Sequence, residues 1–221
     1  MKDINNKIEY LTLTENVTSI IKNKIINGEL SPGDRIIESE LANELKISRG
    51  PIREALRKVE HEGLVDYQSN KGCMVRVITE KEVRDVYMIR AYLEILSVDL
   101  CKGKFQNKTI SLMENLINEM KEASDDKNVA RLVELDEDFH SLIVKESNNH
   151  KLFEIWSGLK SINIVIISSV YNLQLANLEK QGEKHQLLVD KLKIGEAKEI
   201  NNIIKSHYDN SANHFNNMED I

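Results

Sequence analysis

No proline occurs between Thr79 and Ile221, and apolar residues recur through that stretch at helical spacing. A helix interior tolerates proline least of all residues, so a run this long without one leaves helices as the expected structure. Thr79-Glu80-Lys81-Glu82 forms a capping box, and Val83, Val86, Ile89, Leu93, Leu96 and Leu100 continue it as one face of a long helix. Further helices are expected at about 108–123, 129–146, 151–170, 175–194 and 197–216. Asp125-Asp126, Ser147-Asn148-Asn149 and Gly195 mark the main breaks. Short loops between such helices predict an antiparallel all-α bundle of about six. Nine glycines, two prolines and 5% aromatics argue against a β-sandwich, so the fold class is mainly α.

The preceding residues have a different texture. A helix is expected over about 14–27, stopped by Gly28, and Ser31-Pro32-Gly33-Asp34 reads as a turn. A short helix at about 39–45 is linked through Ile47-Ser48 to a third at about 48–62. Ser48 is its N-cap, and Pro51 falls in its first turn. Two short strands, 64–68 and 73–78, joined by Ser69-Asn70-Lys71-Gly72, suit a small β-hairpin. Helix-turn-helix followed by a hairpin is a winged-helix plan. Two domains are expected, 1–78 and 79–221.

No apolar leader is visible at the N-terminus. The longest apolar tract, Ile162–Tyr171, is interrupted by polar residues and falls far short of the roughly 18 needed to span a bilayer. Cys73 and Cys101 have neither disulfide nor metal-site spacing. A soluble cytoplasmic protein without a membrane partner is expected. The net charge of −6 argues at first against nucleic acid. Residues 1–78, however, carry 12 basic and 12 acidic side chains, which leaves 18 and 24 for the remainder. Within Lys46–Arg76, seven basic residues face four acidic ones, a net +3. The acidic excess belongs wholly to the helical part.

Arg49, Arg53 and Arg57 recur at i, i+4, i+8 on the third helix, opposite Ile52, Ala55, Leu56 and Val59. Such a basic stripe suits the major groove, where arginine can bond two acceptors of guanine, but a solvated amphipathic helix shows the same pattern. In a wing, Lys71 and Gly72 could approach the DNA backbone or the minor groove. The run GELSPGDRIIESELANELKISRGPIREALRKVEHEGLV, followed by NKGCMVRVI, resembles the winged-helix domain of the GntR family of bacterial transcriptional regulators, over about Leu13–Ile78. The resemblance implies operator contacts from Arg35, Arg49 and Arg53, with Ser48 and Lys71 as lesser contacts and Arg57 below them. Gly50 departs from the pattern, since the family usually has a small polar residue there.

Asp136 and His140 are i, i+4 on one expected helix. His185 lies ten residues before Gly195 and His207 eleven after Glu196, so a reversal there puts both ~15 Å from the turn, level on neighbouring helices. One carboxylate and three imidazoles converging in a bundle would suit a divalent transition metal, although isolated histidines facing a polar interior would also satisfy the sequence. His61, His150 and His214 belong to no such constellation, although His214, two turns beyond His207 on the same face, is a reserve candidate. The pieces RAYLE (90–94), LDEDFHSLI (135–143), KHQLLVDKLKIGEAKE and SHYDN resemble the FCD ligand-binding domain of the FadR subgroup. That resemblance implies a metal (zinc, nickel or manganese) held by Asp136, His140, His185 and His207, and a small organic-acid effector. It also implies contact of Arg90 with that effector; a salt bridge from Arg90 to Glu94 is the other reading. The expected function is a homodimeric, effector-controlled regulator, a repressor of a palindromic operator, and not an enzyme. A metal-dependent enzyme and a metal-free regulator responding to an acyl thioester are the competing expectations.

Overall fold

The computed structural model describes residues 12–172 and 180–215. Helix α1 (Leu13–Ile26) starts at Thr12, whose hydroxyl and main chain exchange hydrogen bonds with Glu15 in a capping box. Helices α2 (Glu38–Leu45) and α3 (Arg49–His61) form the helix-turn-helix, α3 burying Ile52, Ala55, Leu56 and Val59. Ser48 holds the N-cap position of α3 with extended backbone, but its side chain makes no capping hydrogen bond. Strands β2 (Val65–Gln68) and β3 (Gly72–Val75) make the hairpin. A two-residue strand β1 (Arg35–Ile36), not anticipated from the sequence, pairs with β3 and completes a three-stranded antiparallel sheet in the order β1-β3-β2. Two residues carry no readable alternation, so β1 exists only because β3 offers it a free edge.

The bundle comprises α4 (Glu80–Leu100), α5 (Asn107–Asp125), α6 (Val129–Glu146), α7 (His150–Ser157), α8 (Lys160–Asn172), α9 (Gln181–Ile194) and α10 (Ala197–Ala212), closed by a 3-10 turn at Asn213–Phe215. The single helix expected over 151–170 is thus two, bent by 47° at Gly158-Leu159. Glycine has poor helix propensity, and the bend lets α7 bury Leu152 and Trp156 against Val144 in a small satellite cluster while α8 turns into the main core. The expected first turns of α9 before residue 180, and Asn216 after α10, lie outside the described residues. Gly195 caps α9 at φ +80, a left-handed conformation that glycine adopts without steric cost, and reverses the chain into α10.

One apolar core runs through both parts, from Val17, Ile21 and Leu56 to Leu135, Phe139 and Ile204. Helix α1 packs on α3, and its other side meets α6 and α8 of the bundle. Among the described residues no single helix is long and apolar enough to cross a membrane.

Candidate metal centre and nucleic-acid interface

Arg35, Arg49, Arg53 and Gly72 line one surface groove between β1, the start of α2, α3 and the wing, together with Tyr67 and Cys73. The Arg35 guanidinium lies alongside Gly72. Arg49 and Arg53 are 60% and 52% exposed, so neither is committed to the core. Ser48 and Lys71 are exposed nearby, at the N-terminus of α3 and in the hairpin turn, and Arg57 is exposed one turn beyond Arg53; none of these three lines the groove. The four groove residues come from three separate places in the chain, β1, α3 and the wing, and share one concave face.

The second constellation lies in the bundle. Helix α6 supplies Asp136 and His140 from successive turns, α9 supplies His185 and α10 supplies His207. One ligand atom from each lies within 4.8 Å of all the others. His140 and His185 are buried, Asp136 and His207 partly so. The ring centroids of His207 are 5.0 Å from those of both His140 and His185.

The proton positions follow from the partners. His185 Nδ1 is 2.9 Å from the Gln181 carbonyl, which can only accept, so Nδ1 carries a proton and Nε2 is turned toward the centre. That Nε2 is buried without a hydrogen-bond partner, yet sits 3.2 Å from Asp136 Oδ1. An imidazole nitrogen and a carboxylate oxygen this close in a buried site share a proton or a metal ion. His140 Nδ1 is 3.0 Å from Glu94 Oε2, and Glu94 also accepts from Trp156 Nε1 (3.2 Å) and the Tyr208 hydroxyl (2.5 Å). A histidine whose outer nitrogen is tied to a carboxylate or carbonyl presents the other to a metal. Burial, aided by the neighbouring His185 and His140, holds His207 neutral with its pKa well below the usual histidine value. Burial raises the Asp136 carboxyl pKa, but the hydrogen bond from His185 and the charge of the neighbouring imidazoles outweigh it and keep the group below the usual aspartate range. Burial lowers the His140 pKa, but Glu94 outweighs it and raises the value, so a metal would displace a proton there. A neutral imidazole and an ionised carboxylate are the forms that ligate, and the cluster could bind a metal.

A small cavity of about 30 Å³ opens beside Asp136, His140 and His207, walled by Tyr87, Asn163, Ile167, Val170, Tyr208 and Ser211. His214 also reaches it, while His61 and His150 are exposed elsewhere. Arg90 is fully buried and does not line this cavity. Its ion-pair partner is Glu137 (Nη2–Oε1 3.0 Å) rather than Glu94. It also donates to the Tyr208 hydroxyl from Nε at 3.3 Å and lies 4.2 Å over the Trp156 ring. Asn163 Nδ2 donates to Glu137, and Asn163 Oδ1 has no hydrogen-bond partner among the described residues. Sequence reasoning missed Glu137, Asn163, Trp156 and Tyr208 altogether. They come from four helices, and no spacing in the sequence links them.

The model of the gntR family of bacterial regulatory proteins matches residues 13–75, and that of the FCD domain matches residues 85–210. The HTH-type transcriptional regulator YdhC of Bacillus subtilis (strain 168) is 34% identical over 133 residues, 60% of this chain and 59% of that protein. The Nta operon transcriptional regulator of Aminobacter aminovorans is 37% identical over 123 residues, 56% of this chain and 58% of its own. Both alignments therefore span less than two thirds of the relative. The gluconate operon transcriptional repressor of Bacillus licheniformis is 25% identical over 205 residues, 91% of this chain and 83% of the repressor. Among solved structures, a GntR transcriptional regulator from Rhodococcus sp. RHA1 superposes with a TM-score of 0.74 at 20% identity, over 93% of this chain and 99% of that one. That likeness concerns the fold.

Proposed function

The chain belongs to the GntR family of bacterial regulatory proteins, with an FCD domain following the winged helix, and on that premise we propose a repressor whose hold on operator DNA is set by a small carboxylate bound at the Asp136/His140/His185/His207 centre. The single observation that carries this reading is the convergence of ligand atoms from Asp136, His140, His185 and His207 within 4.8 Å of one another, in a chain that also presents Arg35, Arg49 and Arg53 in one exposed groove. Residues 1–78 read DNA, and residues 79–221 bind the effector and a second copy. The family is one of transcriptional regulators, not enzymes. The name of the Bacillus licheniformis relative favours repression.

Three nitrogens and one oxygen suit zinc, nickel or manganese. When bound, such an ion supplies a positive anchor for a carboxylate. The chain's own groups do the rest: Asn163, Tyr208 and Ser211 offer polar wall contacts, and Arg90 braces Tyr208 from behind and acts on the effector through it. The cavity opens between α8 and α10 beside the centre, so an acid bound there would bear on the packing of both helices. Effector binding is thereby coupled to helix packing, and differential affinity for the two packings shifts their populations.

A homodimer is supported by helix α4, where Met88, Tyr92, Leu96 and Leu100 form an exposed apolar stripe at four-residue spacing, flanked by Ile89. An apolar patch of this kind marks an interaction surface. Two copies about a two-fold axis would present two winged helices to a palindromic site. Thermal shift with zinc, nickel or manganese, alone and with hydroxy-, keto- and sugar acids, tests the reading. Metal should raise Tm, and an acid should raise it further only when metal is present. Unchanged metal stoichiometry in an Asp136→Ala/His140→Ala double variant would overturn the site.

A further inference from the structure

The groove that holds the three exposed arginines also holds a carboxylate. Glu38, the first residue of α2, lies in its wall with only 18% of its side chain exposed. Its Oε2 is 3.1 Å from Arg49 Nη2 and 3.1 Å from Arg53 Nη2, and its Oε1 accepts from Arg53 Nε at 3.4 Å. One carboxylate thus grips arginines from two successive turns of α3, the second of them through a two-point fork. A carboxylate here is unexpected, because it repels the phosphates that supply most non-specific DNA affinity. An isolated surface ion pair would be worth little. This one joins two different helices, relieves the like-charge repulsion of an i, i+4 arginine pair, and fixes two guanidinium planes that would otherwise swing freely.

We propose that Glu38 is a specificity-determining residue: it positions Arg49 and Arg53 for base edges and withholds their charge from the phosphate backbone. The inference rests on the DNA-reading function proposed above. Base readout depends on geometry and phosphate attraction depends on net charge, so one carboxylate can favour the first while weakening the second. Five N–H donors per arginine leave donors on both side chains for bases after Glu38 has taken its share.

The test uses the full chain and a DNA duplex library with a randomised core of about 20 base pairs, followed by affinity measurements on the enriched duplex and on a scrambled one. Glu38→Gln keeps the shape and removes the charge. It should bind the scrambled duplex roughly fivefold more tightly, with a salt slope steeper by about one to two counterions, and its enriched pool should tolerate more sequences. Glu38→Asp, which keeps the charge on a shorter arm, should restore the low scrambled-duplex affinity but recover only part of the preference for the enriched sequence. Circular dichroism checks that both variants fold, and Glu38→Asp carries the test if Glu38→Gln does not. Equal enriched-to-scrambled ratios and equal salt slopes in the folded variants and the parent would overturn the inference and leave the DNA-reading function standing. A parent chain that enriches no sequence at all would overturn both.

Discussion

Each of two buried histidines commits one ring nitrogen to an acceptor behind it and keeps the other for the centre: His185 through Gln181, His140 through Glu94. Outer partners of this kind fix tautomer and ring orientation, so Glu94→Gln should weaken metal binding by about 10–100-fold while the helices stay folded. Competition against a chromophoric chelator measures the first, and circular dichroism the second. Cys73 gives a separate check on the winged-helix core. Burial pushes its thiol pKa up to about 12, so at pH 8 it stays protonated, and iodoacetamide should modify it only after unfolding. Asp136 and His140 are legible in sequence because one helical turn joins them, and His185 and His207 because Gly195 reverses the chain midway between them. Glu94 is not legible as a partner of His140, being 46 residues away on another helix. Its visible neighbour in sequence, Arg90, turns instead to Glu137.

Helix α8 has two working faces. Asn163, Ile167 and Val170 wall the cavity beside the metal centre, while Val165, Ser168, Ser169 and Asn172 face Ile25, Gly28 and Leu30 of the winged-helix part. At its end, Asn172 Nδ2 donates to the Ile26 carbonyl at 2.8 Å, satisfying an acceptor that the last turn of α1 leaves open. A helix displaced by an entering acid would pull on that bond. Asn172→Ala should cost about 1 kcal/mol of stability in denaturant titration and reduce the effect of the acid on DNA affinity. Gly28→Ala should cost about 1 kcal/mol or more, because φ is +74 and the new methyl would meet Asn172 Cγ at 3.1 Å. Capping boxes, glycine stops and apolar periodicity make the other helices readable from the residues alone. The α7–α8 bend is hard to read, since both halves stay apolar across Gly158 and a single glycine is tolerated inside a helix; the packing of Leu152 and Trp156 on Val144 is what accompanies the break.

For the whole molecule, the acidic excess lies in the bundle and the arginine groove in the neutral head, so the total charge describes the sensor rather than the reader. A neutral head has modest affinity for phosphates, and the proposed dimer would double its contacts with DNA. Leu96→Glu on the α4 stripe should therefore shift the chain towards monomer in sedimentation velocity and weaken DNA binding about tenfold or more, with metal binding unchanged. In the regulator proposed above, metal centre and groove are coupled. Fluorescence anisotropy with the enriched duplex, on metal-loaded full-length chain with and without the acid that raises Tm, tests this most directly. Coupling predicts a change in Kd of roughly 5–150-fold that disappears in His140→Ala and His185→Ala. The same Kd with and without the acid, at concentrations that saturate the centre, would contradict it.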